Sequence, residues 1–204
     1  MDIIQEKAIS SVKGKAIPKP ANDQNTDDII PARYLKEITF AKMGEYAYFD
    51  ERFKNEKRVE SHPFNDPKYV GANILITGSN YGCGSSREHA PQALHRFGIN
   101  AIIAESFAEI FAGNCASLGV VGVTVSAKDI VDLLNAVKQN PQTLFEINLN
   151  AKTVSYNGRS ANFEMPEGRR QAFLNGTWDA LAVLQQNESS IKKTESRLVY
   201  LKYK

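Results

Sequence analysis

The chain has 204 residues, enough to bury roughly 70% of the surface its unfolded form exposes and to build a core unaided. Lysine and arginine total 25 against 23 aspartate and glutamate, so the net charge of +2 offers no basic field for a phosphate backbone and excludes nucleic acid as an expected partner. The apolar stretches at 99–104 and 120–125 are far shorter than the ~20 residues that cross a bilayer.

The opening MDIIQEKAIS has acidic residues where a signal peptide needs a basic start and an apolar run. Cys83 and Cys115 are too few for a disulfide framework and belong to no CxxC pair. The expectation is a cytoplasmic protein in a reduced compartment, with no membrane association.

In chain order, a short apolar stretch in SVKGKAIPKP leads to NTDDIIPARYLKEITFAKMGEYAYFDERF, where Asn25, Thr26 and two aspartates read as a turn entering short helices. Residues 54–69 are polar and interrupted by two prolines, and read as a long surface loop. From Ala72 onward compact apolar runs alternate with helical spacing: NILITG, a helix through Leu94, NAIIA, SFAEIFAGNCASLG, VVGVTV and AKDIVDLLNAVKQN. That order predicts βαβ units on a parallel sheet, an α/β fold. KTVSYNGRSANFEM then gives two runs about Asn157-Gly158, a hairpin signal. RRQAFLNGTWDALAVLQQ reads as two helices broken at Gly176, with Thr177 capping the second and Trp178, Leu181 and Leu184 facing the core. Residues 187–204 read as an exposed tail, and the whole of 1–204 as one domain.

The densest chemistry lies in GSNYGCGSSREHAPQAL, residues 78–94. It joins a strand to a helix, the place where open α/β folds bind ligands, and its glycines permit positive φ and close backbone approach. A helix N-terminus there favours an anion, a carboxylate or a phosphate. Spacing tests three familiar motifs. The dinucleotide pattern GxGxxG is half met, because Arg87 stands where the third glycine belongs; a phosphate loop lacks its lysine; and a GxSxG nucleophile elbow is missing. Ser85 and Glu88 fit a capping box, yet Pro91 draws the helix start toward 87–89 and leaves Ser85 in the loop, so the hydroxyls read equally as structural or functional. Arg87 is a cation at a helix start and asks for an anion.

These residues, with NTDDIIPARYL upstream and SFAEIFAGNC downstream, closely resemble the 3-isopropylmalate dehydratase (isopropylmalate isomerase) small subunits of the aconitase superfamily, in order and spacing from Ile17 to Gln186. The resemblance implies a swivelling β/β/α domain. It also implies a large-subunit partner carrying a [4Fe-4S] cluster, and a hydro-lyase that interconverts 2- and 3-isopropylmalate in leucine biosynthesis, active only when both subunits are present. Two lone cysteines agree in that they cannot hold such a cluster, so no cofactor is expected on this chain. By position in the motif, the resemblance makes Ser85 the base that takes the carbon-bound proton, and makes Ser86 and Arg87 carboxylate-binding residues. Arg33 resembles a second carboxylate-binding arginine, and Leu35, in YLKEIT, falls where the family selects the substrate side chain. For Leu35 and Ile38 core packing is the competing reading. Where aconitase has an acidic residue inside the motif stands Cys83, which reads as loop structure.

A serine hydroxyl is a very weak acid, and a helix N-terminus supplies at most about 2 kcal/mol, roughly one and a half pKa units. Arg87, the N–H groups of the turn and a site dried by the partner would therefore have to stabilise the alkoxide together. A related homoaconitase or a citraconate or methylmalate hydratase small subunit would use the same carboxylate-binding residues, and a non-catalytic anion-binding module would keep the turn alone. His89 lacks a second ligand at metal spacing and reads as a structural hydrogen-bonding residue. Asp27 and Asp28 serve either to pair with arginine or to form the turn.

Overall fold

The computed structural model describes residues 6–85 and 87–201. Four strands, β2 (Ala16–Lys19), β5 (Ile74–Thr77), β6 (Ala101–Ala104) and β7 (Val121–Thr124), form a parallel sheet in the order β2-β5-β6-β7. A second, antiparallel sheet has the order β1-β8-β9-β10, from β1 (Ser11–Gly14), β8 (Phe145–Asn148), β9 (Thr153–Tyr156) and β10 (Arg159–Asn162). The hairpin between β9 and β10 turns at Asn157 and Gly158, both at positive φ, as a two-residue turn matched to strand twist requires.

The central strands β5 and β6 are buried along their whole length because both of their faces are covered. Ile74, Ile76, Ala101, Ile103, Val121 and Val123 point to one core, shared with Phe145, Ile147 and Val154 of the antiparallel sheet and Leu133 of the Ala127–Gln139 helix. Leu75, Ile102 and Ala104 point to the other, under the His89–Phe97 and Glu109–Ser117 helices and the 29–48 segment. The β5-to-β6 and β6-to-β7 crossovers advance the same way across the sheet and set the His89–Phe97 and Glu109–Ser117 helices on one face. The layers are sheet, sheet and helices, the β/β/α arrangement expected from the resemblance, with the predicted βαβ order in the middle.

β1 and β2 are consecutive yet belong to different sheets. The switch occurs at Gly14, where a Cβ would fall 1.7 Å from the Asn73 Oδ1. A side chain there would have to displace the Asn73 amide, which donates to the Lys13 carbonyl at 3.1 Å.

Three expectations change. The 54–69 stretch is only partly a surface loop: β3 (Phe53–Lys54) and β4 (Lys57–Arg58) form a small hairpin, and His62, Phe64 and Asn65 are buried. Asn65 satisfies itself there through Arg52, accepting from its Nε at 2.9 Å and donating to its carbonyl at 2.8 Å. Gly176 does end the Glu167–Asn175 helix in a left-handed conformation, but Asp179, not Thr177, caps Ala180–Gln186 by accepting from the Ala182 N–H. Leu181 and Leu184 are 64% and 56% exposed rather than core, while Trp178 packs against the first core and donates to the Lys7 carbonyl at 2.7 Å. Residues 187–200 are largely exposed, with Glu188–Glu195 helical. Among the described residues no helix is long and apolar enough to cross a membrane.

The glycine turn is seated on the second core. Gly82 has φ +79°, and a Cβ on it would lie 2.1 Å from the ring of Phe111, which is 2% exposed. Gly71 has a similar φ of +75° with nothing within 4 Å of its absent Cβ. Gly71→Ala is therefore expected to cost only the backbone strain of about 1–2 kcal/mol, and Gly82→Ala a further ~1–3 kcal/mol from overpacking. Equal losses in denaturant titrations of the two variants would show that Phe111 yields freely.

Candidate functional site

The turn at 78–85 needs three left-handed residues in five positions, Asn80 at φ 52°, Gly82 at 79° and Gly84 at 93°, which accounts for Gly82 and Gly84. Such a turn has little rigidity of its own, and the segment 21–26 supplies it. Asn22 Oδ1 accepts from the Ser79 N–H at 2.9 Å, the Gly82 N–H donates to the Gln24 carbonyl at 2.8 Å, and the Thr26 N–H donates to the Cys83 carbonyl at 2.9 Å. Asn80 Nδ2 reaches Asp23 Oδ1 at 2.8 Å, and the Cys83 thiol donates to the Asp23 carbonyl at 3.3 Å. Finally the Thr26 hydroxyl donates to the Ser85 carbonyl at 2.9 Å. The stretch that reads in sequence as a turn into short helices is thus also the clamp of the glycine turn. Cys83 has the structural role expected of it.

Asn25 caps the Thr26–Ile29 helix in a reciprocal capping box with Asp28, whose carboxylate accepts from the Asn25 N–H at 2.9 Å. This decides the role of Asp28 as turn-forming. The His89–Phe97 helix starts inside the window set by Pro91, with Glu88 at its cap position and its own side chain bonded to Gln92 Nε2 at 2.9 Å. Glu88 makes no side-chain cap bond, and among the described residues the Ser85 hydroxyl bonds Arg87 rather than a helix N–H. Ser85 is exposed, and its Oγ accepts from the Arg87 Nε at 3.0 Å while the Arg87 N–H donates to the Ser85 carbonyl at 2.8 Å. Among the described residues the only hydrogen bond of the Arg87 guanidinium is this one through Nε, and the residue is exposed. Hydroxyl and cation form one unit. Ser86, expected to hold substrate carboxylate, lies outside the described residues.

Arg33 stands elsewhere. It lies in the 3-10 turn Ala32–Lys36, gripped by both carboxylate oxygens of Asp50, Nη1 to Oδ2 at 2.9 Å and Nη2 to Oδ1. Its guanidinium carbon lies 4.8 Å from the centroid of the Tyr34 ring and 5.6 Å from that of Phe49, and Tyr34 stacks on Tyr46 at 3.9 Å. The Asp50 hydrogen bond raises the Arg33 pKa, and in return holds the Asp50 carboxyl below the usual range. Among the described residues no hydrogen bond or ion pair joins Arg33 to Ser85 or Arg87. Asp50, seventeen positions away, carries no sequence signal of this pairing. Leu35 is half-buried in the same turn, and Ile38 is 99% exposed, which removes core packing as its role. This loop borders the helix start through Phe40, whose ring meets the half-buried His89 edge-on at 5.3 Å. Among the described residues His89 makes this aromatic contact and no hydrogen bond through its ring. Gly44 lets the loop touch the helix backbone, since a Cβ would come within 2.6 Å of Arg96 carbonyl atoms.

A cavity of about 600 Å³ opens at the ends of β6 and β7, lined by Phe107, Met165 and Arg169 among others, and Ser85 is not part of its wall. The Ser85–Arg87 pair sits on open surface instead. The cysteines do not fit an iron–sulfur cluster: Cys115 is buried, with its thiol pKa pushed up by that burial, and Cys83 is tied to Asp23. Among the described residues no group of three or more His, Cys, Asp or Glu is placed to hold a metal.

Residues 6–128 match the model of the aconitase C-terminal domain. The chain belongs to that family. It is 42% identical to the 3-isopropylmalate dehydratase small subunit of Thermus thermophilus over 189 residues, 93% of this chain and 94% of that one. The small subunit from a Synechocystis strain is also 42% identical, over 193 residues and 95% of each chain. Among solved structures, the 3-isopropylmalate dehydratase (LeuD) of Methanocaldococcus jannaschii superposes with a TM-score of 0.68 at 25% identity, covering 90% of this chain and 99% of that one. The order and spacing of the motifs and the layered architecture agree with this membership.

The clamp gives a direct expectation. Thr26 is buried, and Thr26→Val keeps its shape while deleting the bond to the Ser85 carbonyl. Stability should fall by about 0.5–1.5 kcal/mol in denaturant titration, with amide exchange of Arg87 accelerated. Unchanged exchange at Arg87 would mean that the turn is held without Thr26.

Proposed function

We propose that this chain is the small subunit of a cytoplasmic 3-isopropylmalate dehydratase, a hydro-lyase of leucine biosynthesis that exchanges 2- and 3-isopropylmalate by removing and restoring water. The observation that carries the reading is the Arg87 Nε to Ser85 Oγ hydrogen bond on an exposed, clamped turn, in a chain whose relatives are small subunits of that enzyme. The names of those relatives favour this substrate over homoaconitate, citraconate or methylmalate, and over a non-catalytic anion-binding module.

Ser85 acts as an alkoxide and takes the proton from the substrate carbon. The C–H electron pair becomes the π bond of the alkene as hydroxide leaves the neighbouring carbon, and the reverse sequence rehydrates it. Ser85 precedes the first helical residue by four positions, so the helix dipole is weak at the hydroxyl. The adjacent guanidinium supplies the larger stabilisation, through a charge-assisted bond that shortens and strengthens as the oxygen becomes anionic. The terminal nitrogens of Arg87, in a planar fork, suit a substrate carboxylate, with Ser86 beside it. One arginine orients both base and substrate.

Arg33 receives the second carboxylate, in exchange for or alongside Asp50. The exposed loop bearing Leu35 and Ile38 contacts the isopropyl group. A large subunit, expected to hold the [4Fe-4S] cluster, closes the open side and excludes water, and no step assigned to this chain passes through the cluster.

Ser85→Ala, assayed with the large subunit, should lose about 10²–10⁴-fold in kcat while co-eluting with its partner as the unaltered chain does; near-normal turnover would remove Ser85 from this role. Leu35→Ala and Ile38→Ala should change the kcat/KM ratio of isopropylmalate to its smaller homologues by about tenfold, a methylene or two of contact. An unchanged ratio would place the specificity pocket elsewhere.

A further inference from the structure

We infer that Tyr48 is a positioning residue for Ser85, acting through the hydroxyl–hydroxyl bond it makes with Tyr81; the inference rests on the role proposed for Ser85. Both tyrosines are fully buried, and their oxygens lie 2.6 Å apart. Burial raises both phenol pKa values, so the pair stays protonated and neutral, and one O–H donates to the other. Two phenylalanines would fill nearly the same space without taking two hydroxyls out of water, and the bond between those hydroxyls fixes a direction that apolar contact does not.

Tyr48 is also strained. It has φ 52° and ψ 34°, the left-handed region that residues other than glycine rarely enter and that costs of order 1–3 kcal/mol. Its N–H donates to the Ile29 carbonyl at 2.7 Å, its ring packs on Phe64 at 4.7 Å, and the Lys19 ammonium lies 5.0 Å above the ring. The backbone is thereby held in a conformation that turns the phenol toward Tyr81.

The contacts close a ring around the base. Ser85 is held at its carbonyl by Thr26, the Thr26–Ile29 helix ends at the carbonyl that anchors Tyr48, and Tyr48 grips Tyr81. Tyr81 is fixed in turn by its N–H on the Ser106 carbonyl, by its own carbonyl accepting from Ala108, and by edge contacts with Phe107 and Phe111. From Tyr81 to Ser85 the chain has only three intervening residues, two of them the left-handed Gly82 and Gly84. Those glycines offer no stiffness of their own, so the place of Ser85 is set by what holds this stretch: the 23–26 segment at Gly82, Cys83 and Ser85, and the tyrosine pair at Tyr81.

The experiment compares Tyr48→Phe, Tyr81→Phe and the double variant, each assembled with the large subunit. Either single change orphans a buried hydroxyl and should lower Tm; the double change removes both and should restore most of it. Positioning requires that kcat fall about ten- to a hundredfold in the single and double variants alike, with KM within about twofold, because the aim of the base is lost whether or not stability returns. A double variant with restored Tm and unaltered kcat overturns the inference. If the double variant stays unstable, Ile147→Ala, which cuts into the other core, serves as control at matched Tm. The same kcat loss in that control overturns the inference, and a loss confined to the tyrosine variants upholds it. Activity in Ser85→Ala would instead remove the underlying reading.

Discussion

The glycine turn depends on a clamp of hydrogen bonds to its backbone groups. A turn built on left-handed glycines has no stiffness of its own, and here the segment 21–26 runs beside it and ties it down at the Ser79, Gly82, Cys83 and Ser85 positions. Every bond of that set is modest, about 0.5–1.5 kcal/mol net, and their value lies in geometry. They hold a serine hydroxyl and a guanidinium 3.0 Å apart on open surface, where neither would otherwise stay.

The clamp also explains why two distant motifs belong together. NTDDIIP and GSNYGCGSSRE are some sixty residues apart in the chain, yet Asn25 forms a β-bridge to Cys83, and the Thr26 hydroxyl bonds the Ser85 carbonyl. The strand ends of the parallel sheet bring them into reach, since β2 and β5 are neighbours and both chains leave the sheet on the same side. The fold is in this sense a jig for one turn, and the surface position of the turn suits a reaction that needs a second protein to exclude water.

Much of this was legible. The βαβ alternation from Ala72, the Asn157-Gly158 hairpin and the helix start near Pro91 rest on local chemistry, the period of apolar residues and the backbone limits of glycine and proline, and each was present as read. The misreadings have a common cause. His62, Phe64 and Asn65 sit in a polar, proline-bearing stretch, and only packing against Tyr48 and Arg52 draws them inside. Leu181 and Leu184 have core spacing on a helix that has nothing to cover them among the described residues. Asp50, which holds Arg33, and Tyr48, which bonds Tyr81, have no motif to mark them.

The sequence alone determined the chemistry on offer and where the backbone must bend, because residue identity, hydrophobic period and glycine or proline placement act within a few residues. The tertiary structure alone decided that Arg33 answers to Asp50, that Arg87 rather than the helix end holds the Ser85 oxygen, and that two buried phenols bond across thirty-three positions. Those pairings depend on which strand ends and loops come together in space, and no local rule of spacing specifies that.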